Sequence, residues 1–218
     1  MSQDYERRVP YPPAPWRSSG RLWMGFFKTD VPVQLPSGLK PFLNPRWLVV
    51  TLVRYLEGTL RYDELAVGPL ARLGARFGIF VPYIWVDSEA SMWGGRRIWG
   101  VPKEMAVFAW EGDTVSVTDK DGLIATLTVD TQEARVPKIW MPAPGLGRRD
   151  GQWVFTIATM SARLGRSGMH IAEWSPRFPY RPGERPMLGI GAKPFWMTVP
   201  KPRLLDVERE TRNVKRET

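Results

Sequence analysis

The chain has 218 residues, 31 Lys and Arg against 22 Asp and Glu, a formal charge of +9, one histidine and no cysteine. That length suits one large domain or at most two, and the missing cysteines exclude disulfide frameworks, Cys-ligated zinc, iron–sulfur clusters and thiolate nucleophiles. A multi-histidine metal site or a histidine triad would rest on His170 alone, so no metal is expected and catalysis falls to Lys, Asp, Glu, Arg, Tyr or Ser.

No N-terminal stretch joins a basic flank to an apolar core, and no apolar run approaches the roughly 20 residues of a spanning helix. The chain therefore reads as soluble, cytoplasmic and untargeted, with no membrane partner. Its basic residues, mostly arginine, are spread along the sequence, with adjacent arginine pairs at Arg7-Arg8, Arg96-Arg97 and Arg148-Arg149. No zinc finger, helix-turn-helix spacing or RNP-like motif accompanies them, so nucleic acid is not an expected partner.

Residues 1–15 carry Pro10, Pro12, Pro13 and Pro15 around Tyr11 and predict an extended N-terminal arm. A single folded domain is expected over 16–205. Within it, Arg21–Phe27 and Trp47–Val53 are strand-like runs, Val67–Gly74 suits a helical turn, and Phe77–Val86 is rich in β-branched and aromatic residues. Asp87-Ser88 before Glu89 reads as an N-cap opening a short helix that runs to about Trp99, where Gly100 and Pro102 stop it. Met105–Trp110 continues the strand pattern. Val115–Thr118 and Leu123–Val129 flank Asp121-Gly122, a hairpin signal, and Trp153–Met160 adds another strand. Residues 206–218 alternate acids and bases and predict a charged C-terminal tail. Many short strands with Gly and Pro punctuation argue for a mainly β fold with short helices, an antiparallel barrel or double sheet.

Lys103 follows Ile98-Trp99-Gly100-Val101-Pro102 and precedes Met105-Ala106-Val107-Phe108, so Glu104 is the one charged residue within five positions of it. Desolvation in such a setting disfavours the ammonium, and a lysine neutral near pH 7 can attack a carbonyl to form a Schiff base. The same context also suits a snorkelling lysine, or one paired with Glu104, at a strand start.

The stretch from Val86-Asp87-Ser88 through Gly95-Arg96-Arg97-Ile98-Trp99-Gly100-Val101-Pro102-Lys103 resembles the signature of the acetoacetate decarboxylase family, a Gly-Arg-Glu-x-x-x-x-Pro-Lys run ending in the Schiff-base lysine. The resemblance implies that Lys103 is the imine-forming residue. It also implies the family's β-barrel, a small keto acid as substrate, no cofactor, and assembly into a homo-oligomer. Tyr62-Asp63-Glu64 stands 39 residues before Lys103, where the family has a Tyr-x-Glu whose glutamate lines the pocket. Glu64 would act in catalysis and Tyr62 would line the pocket. Arg21 opens a stretch similar to a family strand whose arginine faces the active site, and it would partner Glu64 or the substrate carboxylate.

The sequence departs from that signature at two positions, with Glu104 in place of a second lysine and Arg97 in place of the acid. A swapped ion pair between Arg97 and Glu104 would account for both. Glu104 would then point away, and desolvation by Trp99, Val101 and Met105 would activate Lys103; a Glu104 that reached Lys103 would raise its pKa. Aldol or dehydratase chemistry on a pyruvate-like substrate through the same lysine, or a non-catalytic barrel binding a small molecule among eleven Trp and nine Phe, are the alternatives.

Overall fold

The computed structural model describes residues 9–130 and 137–205. Among the described residues sixteen strands run in chain order as β1 (Trp16–Lys28), β2 (Lys40–Pro41), β3 (Trp47–Gly58), β4 (Tyr62–Gly68), β5 (Leu70–Leu73), β6 (Arg76–Phe80), β7 (Tyr83–Val86), β8 (Lys103–Met105), β9 (Val107–Glu111), β10 (Thr114–Asp119), β11 (Gly122–Thr128), β12 (Ile139–Arg149), β13 (Gln152–Arg166), β14 (His170–Trp174), β15 (Leu188–Val199) and β16 (Arg203–Leu205). Between β7 and β8 lie the helix α1 (Glu89–Gly94) and a π-helical turn, Gly95–Trp99. None of the helices among the described residues is long and apolar enough to cross a membrane.

A large sheet orders its strands β2-β5-β6-β12-β13-β15-β1-β3-β4-β7-β8, with β16 paired to β13, and a smaller one runs β14-β11-β10-β9. The expected antiparallel barrel or double sheet is met in part: two sheets form among the described residues, but no closed barrel. The large sheet is open, with β2 and β8 at its ends, and it is mixed, because β6 pairs with β12 and β7 with β8 in parallel. The β7–β8 pairing has a local cause. The chain leaves β7, crosses over through α1 and the π-helical turn, and returns beside β7 in the same direction, as parallel neighbours require.

Two faces of the large sheet are buried. Trp23, Phe27, Leu52, Leu65 and Trp85 pack against Val115, Val117, Ile124 and Leu127 of the small sheet. On the other face Leu22, Val53, Tyr55, Tyr62 and Phe195 pack with Met92 and Trp93 of α1. This double burial explains why β3 reads as a near-continuous apolar run.

The Asp121-Gly122 hairpin forms as expected, with Gly122 at φ 108°. The segment expected to make a helical turn at Val67–Gly74 is instead the end of β4, Pro69, and strand β5. Ala71 and Leu73 alternate inward, and Gly74 at φ 59° turns the chain into β6. Of the arm, residues 9–15 are described without regular structure, and the Trp16 indole donates to the Pro12 carbonyl. The rest of the arm and the charged tail, 206–218, lie outside the described residues.

Candidate active site

Strand pleating assembles the site. On β4, Tyr62 and Glu64 point to one face, while Asp63 and Leu65 point to the other, toward the small sheet. Antiparallel register sets Tyr55 of β3 directly opposite Tyr62, and parallel register sets Lys103 of β8 beside Ile84 of β7. Lys103 thus reaches the face that carries Glu64.

The segment before Lys103 is built to place it. Ser88 caps α1, its side chain accepting from the Ser91 amide. The helix continues as a π-helical turn and ends at Gly100, whose φ of 63° suits glycine. Arg149 donates to the Arg97 and Ile98 carbonyls, satisfying acceptors at the helical end. Gly95 has an ordinary helical backbone, φ −58°, and its missing side chain matters for space. A Cβ there would stand 2.6 Å from Cδ of Lys103 and 2.8 Å from its Cε. Arg96 donates from Nε to the Lys103 carbonyl at 2.6 Å. The Gly and first Arg of the signature therefore seat the lysine's stem and backbone.

Lys103 is 5% exposed. Its Nζ donates to Glu64 Oε2 at 2.6 Å, to Ser91 Oγ at 2.9 Å and to the Tyr62 hydroxyl at 3.4 Å, matching three acceptors to the three N–H bonds of an ammonium. The Tyr55 hydroxyl donates to Glu64 Oε1 at 3.4 Å. Burial disfavours the Lys103 charge, but the Glu64 carboxylate, with Tyr62 beside it, outweighs burial, and the net shift is upward from the ordinary lysine value. This corrects the expectation of a lysine neutralised by desolvation: a carboxylate at 2.6 Å stabilises the charged form. Burial also raises the two phenols, Tyr55 most strongly, where Glu64 adds to the effect. Both tyrosines are therefore neutral, Tyr55 donating to Glu64 and Tyr62 accepting from Lys103.

These groups open onto a cavity of about 190 Å³ whose lining is otherwise apolar or small, including Trp16, Ile84, Trp99, Val101, Gly145 and Ala158. Trp99 packs edge-on against Trp16 at 4.7 Å and donates its indole N–H to the Pro200 carbonyl. Among the described residues lining the cavity, Lys103 and Glu64 are the only charged ones. The arrangement can hold a proton between amine and carboxylate while a small carbonyl compound approaches through apolar surroundings.

Lys103, Glu64, Tyr62 and Trp99 are brought together. Arg21 is not. It is exposed on β1 opposite Arg54, and Arg54 meets Asp63 on the face turned away from Glu64. Pleating places Arg21 on that same far side, and Glu64 takes Lys103 as its cation. Glu104 is exposed on the outer side of β8, one pleat from Lys103, where its charge bears on Lys120. Of the three residues expected to desolvate Lys103, Trp99 and Val101 line the cavity, whereas Met105 is 38% exposed.

Sequence reasoning missed Ser91 and Tyr55. Ser91 is fully buried, and the signal for it was its place beside Met92 and Trp93 on the inward side of a helix with the Lys103 signature just beyond. Tyr55 becomes visible only once β3 and β4 are paired in register.

The family model for acetoacetate decarboxylase matches residues 4–143, a span that includes Glu64, Ser91 and Lys103. No protein of curated function matches the sequence. Among solved structures, an acetoacetate decarboxylase from Legionella pneumophila is 19% identical with a TM-score of 0.62 over 93% of this chain and 94% of its own. Another acetoacetate decarboxylase reaches a TM-score of 0.68 at 14% identity over 94% and 98%. The enduracididine biosynthesis enzyme MppR, solved with the condensation product of pyruvate and imidazole 4-carboxaldehyde, is 16% identical with a TM-score of 0.58 over 90% and 91%.

Proposed function

Because the chain belongs to the acetoacetate decarboxylase family, we propose that it is a Schiff-base-forming lyase in which Lys103 condenses with a short β-keto acid and releases CO2. The observation that carries this reading is the buried Lys103–Glu64 pair, 2.6 Å apart at the edge of an apolar cavity.

The resting lysine is an ammonium, so the first step passes a proton from Nζ to Glu64 Oε2 along their hydrogen bond. In low dielectric that transfer removes two opposite charges at once, which limits its cost. The neutral amine attacks the keto carbon and forms a carbinolamine. Glu64 returns a proton to the departing hydroxyl, and water leaves to give the iminium. The cationic nitrogen then accepts the electron pair of the C–C bond as CO2 departs, leaving an enamine. Protonation at carbon and hydrolysis yield the ketone and free Lys103. Ser91 and Tyr62 hold Nζ in place, and Tyr55 holds Glu64. The chemistry calls on no metal or organic cofactor.

Glu104 supports a second reading. The family signature has a second lysine there, and its cation would depress the neighbouring pKa; here that influence is missing. A site tuned differently could use the same iminium for aldol or dehydratase chemistry on a pyruvate-like substrate, and MppR, a structural neighbour, was solved with pyruvate.

Incubation with acetoacetate, with CO2 and acetone both measured, tests the first reading. Stoichiometric CO2 and acetone from the wild type, abolished in Lys103→Ala, are expected. No CO2, together with a condensation or dehydration product from pyruvate and an aldehyde, would favour the second reading and overturn the first.

A further inference from the structure

One wall of the cavity is made of small residues. β12 and β13 contribute Ala143, Gly145, Gly147, Thr156 and Ala158, and register pairs Ala143 with Ala158 and Gly145 with Thr156 on one face of the sheet. The glycines around this site are there for different reasons. At Gly147 a Cβ would stand 2.1 Å from the Trp99 carbonyl oxygen, and at Gly95 it would strike the stem of Lys103, so packing demands both. At Gly145 the nearest atom to a built Cβ is the Ile79 carbonyl oxygen, at 3.9 Å, an ordinary contact distance. Its φ lies outside the left-handed region. Neither backbone nor packing asks for glycine at 145.

Glycine inside a strand carries an entropic cost and packs nothing, and such a residue often marks where a ligand approaches closely. What the missing side chain at 145 leaves is room in the cavity that holds Lys103. That cavity is about 190 Å³, so every carbon added to the wall removes a substantial share of it. We infer that Gly145 is the residue that sets the longest carbon chain the site accepts on the keto carbon of its substrate, with Ala143 and Ala158 flanking it. The inference rests on the Schiff-base reading and adds to it a determinant of substrate size.

The test takes wild type, Gly145→Ala and Gly145→Val through the 3-oxo acids with propyl, ethyl and methyl on the keto carbon. It reads kcat/KM for CO2 release, borohydride trapping at Lys103, and thermal unfolding. The expected result is selectivity graded by size. The ratio of propyl to methyl substrate falls about ten-fold or more in Gly145→Val, the order of effect a methylene has in an apolar pocket, with Gly145→Ala between. Melting temperatures stay at or above that of the wild type, because a strand gains from losing a glycine. A fall by one common factor across the series, or a lowered melting temperature in both variants, would overturn the inference and assign Gly145 a structural role. Failure of the wild type to trap any member at Lys103 would overturn the Schiff-base reading itself, a result that the selectivity ratios cannot mimic.

Discussion

Lys103 and Glu64 are both buried, with side-chain exposures of 6% and 11%, and a buried pair is held more by the cost of breaking it than by the gain of making it. Removing one partner leaves an uncompensated charge, typically about 3–5 kcal/mol. Lys103→Met should therefore unfold at lower urea near neutral pH by that order, and Lys103→Met with Glu64→Gln should recover part of the loss; equal stability of the single variant and wild type would contradict the pairing. The pH dependence follows from the direction of the shift. The folded pKa of Lys103 lies above its unfolded value, so the lysine's stabilising contribution is complete below the ordinary lysine range and is lost as pH rises through the raised folded value. The gap between wild type and Lys103→Met should hold from neutral pH through the ordinary lysine range and narrow only beyond it.

Glu64→Gln separates stability from chemistry at the same atom. Without the carboxylate, burial becomes the dominant influence and pulls Lys103 below its ordinary value. Imine formation in this variant should reach its plateau at lower pH than in the wild type. CO2 release near neutrality should fall about 100-fold or more, the usual contribution of a positioned proton carrier. A pH profile that does not move would mean that Glu64 does not govern the charge on Lys103.

At the level of elements, the path from α1 through the π-helical turn to β8 does the positioning, and Gly95 is where it can be probed. A methyl at 95 would sit 2.6 Å from a lysine stem whose tip is pinned by three hydrogen bonds. Gly95→Ala is expected to fold and to lose about 100-fold in turnover, since a displacement of about 1 Å at a reacting group costs that much. Turnover close to wild type would show that the lysine shifts aside without penalty. Local rules carried this region well in the sequence: the Ser88 cap, the stop at Gly100 and the Asp121-Gly122 hairpin all follow from residue chemistry within a few positions. They did not carry the π-helical turn, which the compact Gly94-Gly95 pair and the tertiary packing against Trp16 permit. Nor did they carry the face of Arg21. β1 is buried on both sides over much of its length, so no alternation of polar and apolar residues marks which side leads to Glu64, and a bulge near Gly20 shifts its register further. Tyr62 and Glu64 were legible only through the family's Tyr-x-Glu resemblance, and the strand then explains why both reach the site, since two residues apart on a strand means one face.

Across the whole molecule, the two sheets meet through a polar contact as well as an apolar core. Trp110 of β9 donates its indole N–H to Asp63 Oδ2 at 2.7 Å, and Arg54 lies over the Trp110 ring and reaches Asp63 from the other side. Trp110→Phe keeps the ring and removes the donor, so stability should drop by about 1.5–3 kcal/mol, the range for a hydrogen bond to a charged group. A change within a few tenths would mean that the apolar core alone joins the sheets. Topology at this scale was the least legible part of the fold. Whether a mainly β chain closes into a barrel is decided by long-range pairings such as β6 with β12, which rest on two residue pairs far apart in sequence. The net charge of +9 says little about the site, whose lining carries one cation and one anion.

The central claim is that Lys103 is the nucleophile, and reductive trapping tests it most directly. Wild-type protein incubated with acetoacetate and borohydride should gain the mass of one reduced adduct, mapped to the peptide containing Lys103, and Lys103→Ala should gain none. An adduct on another lysine, or no adduct with acetoacetate, pyruvate or any short keto acid, would contradict the account.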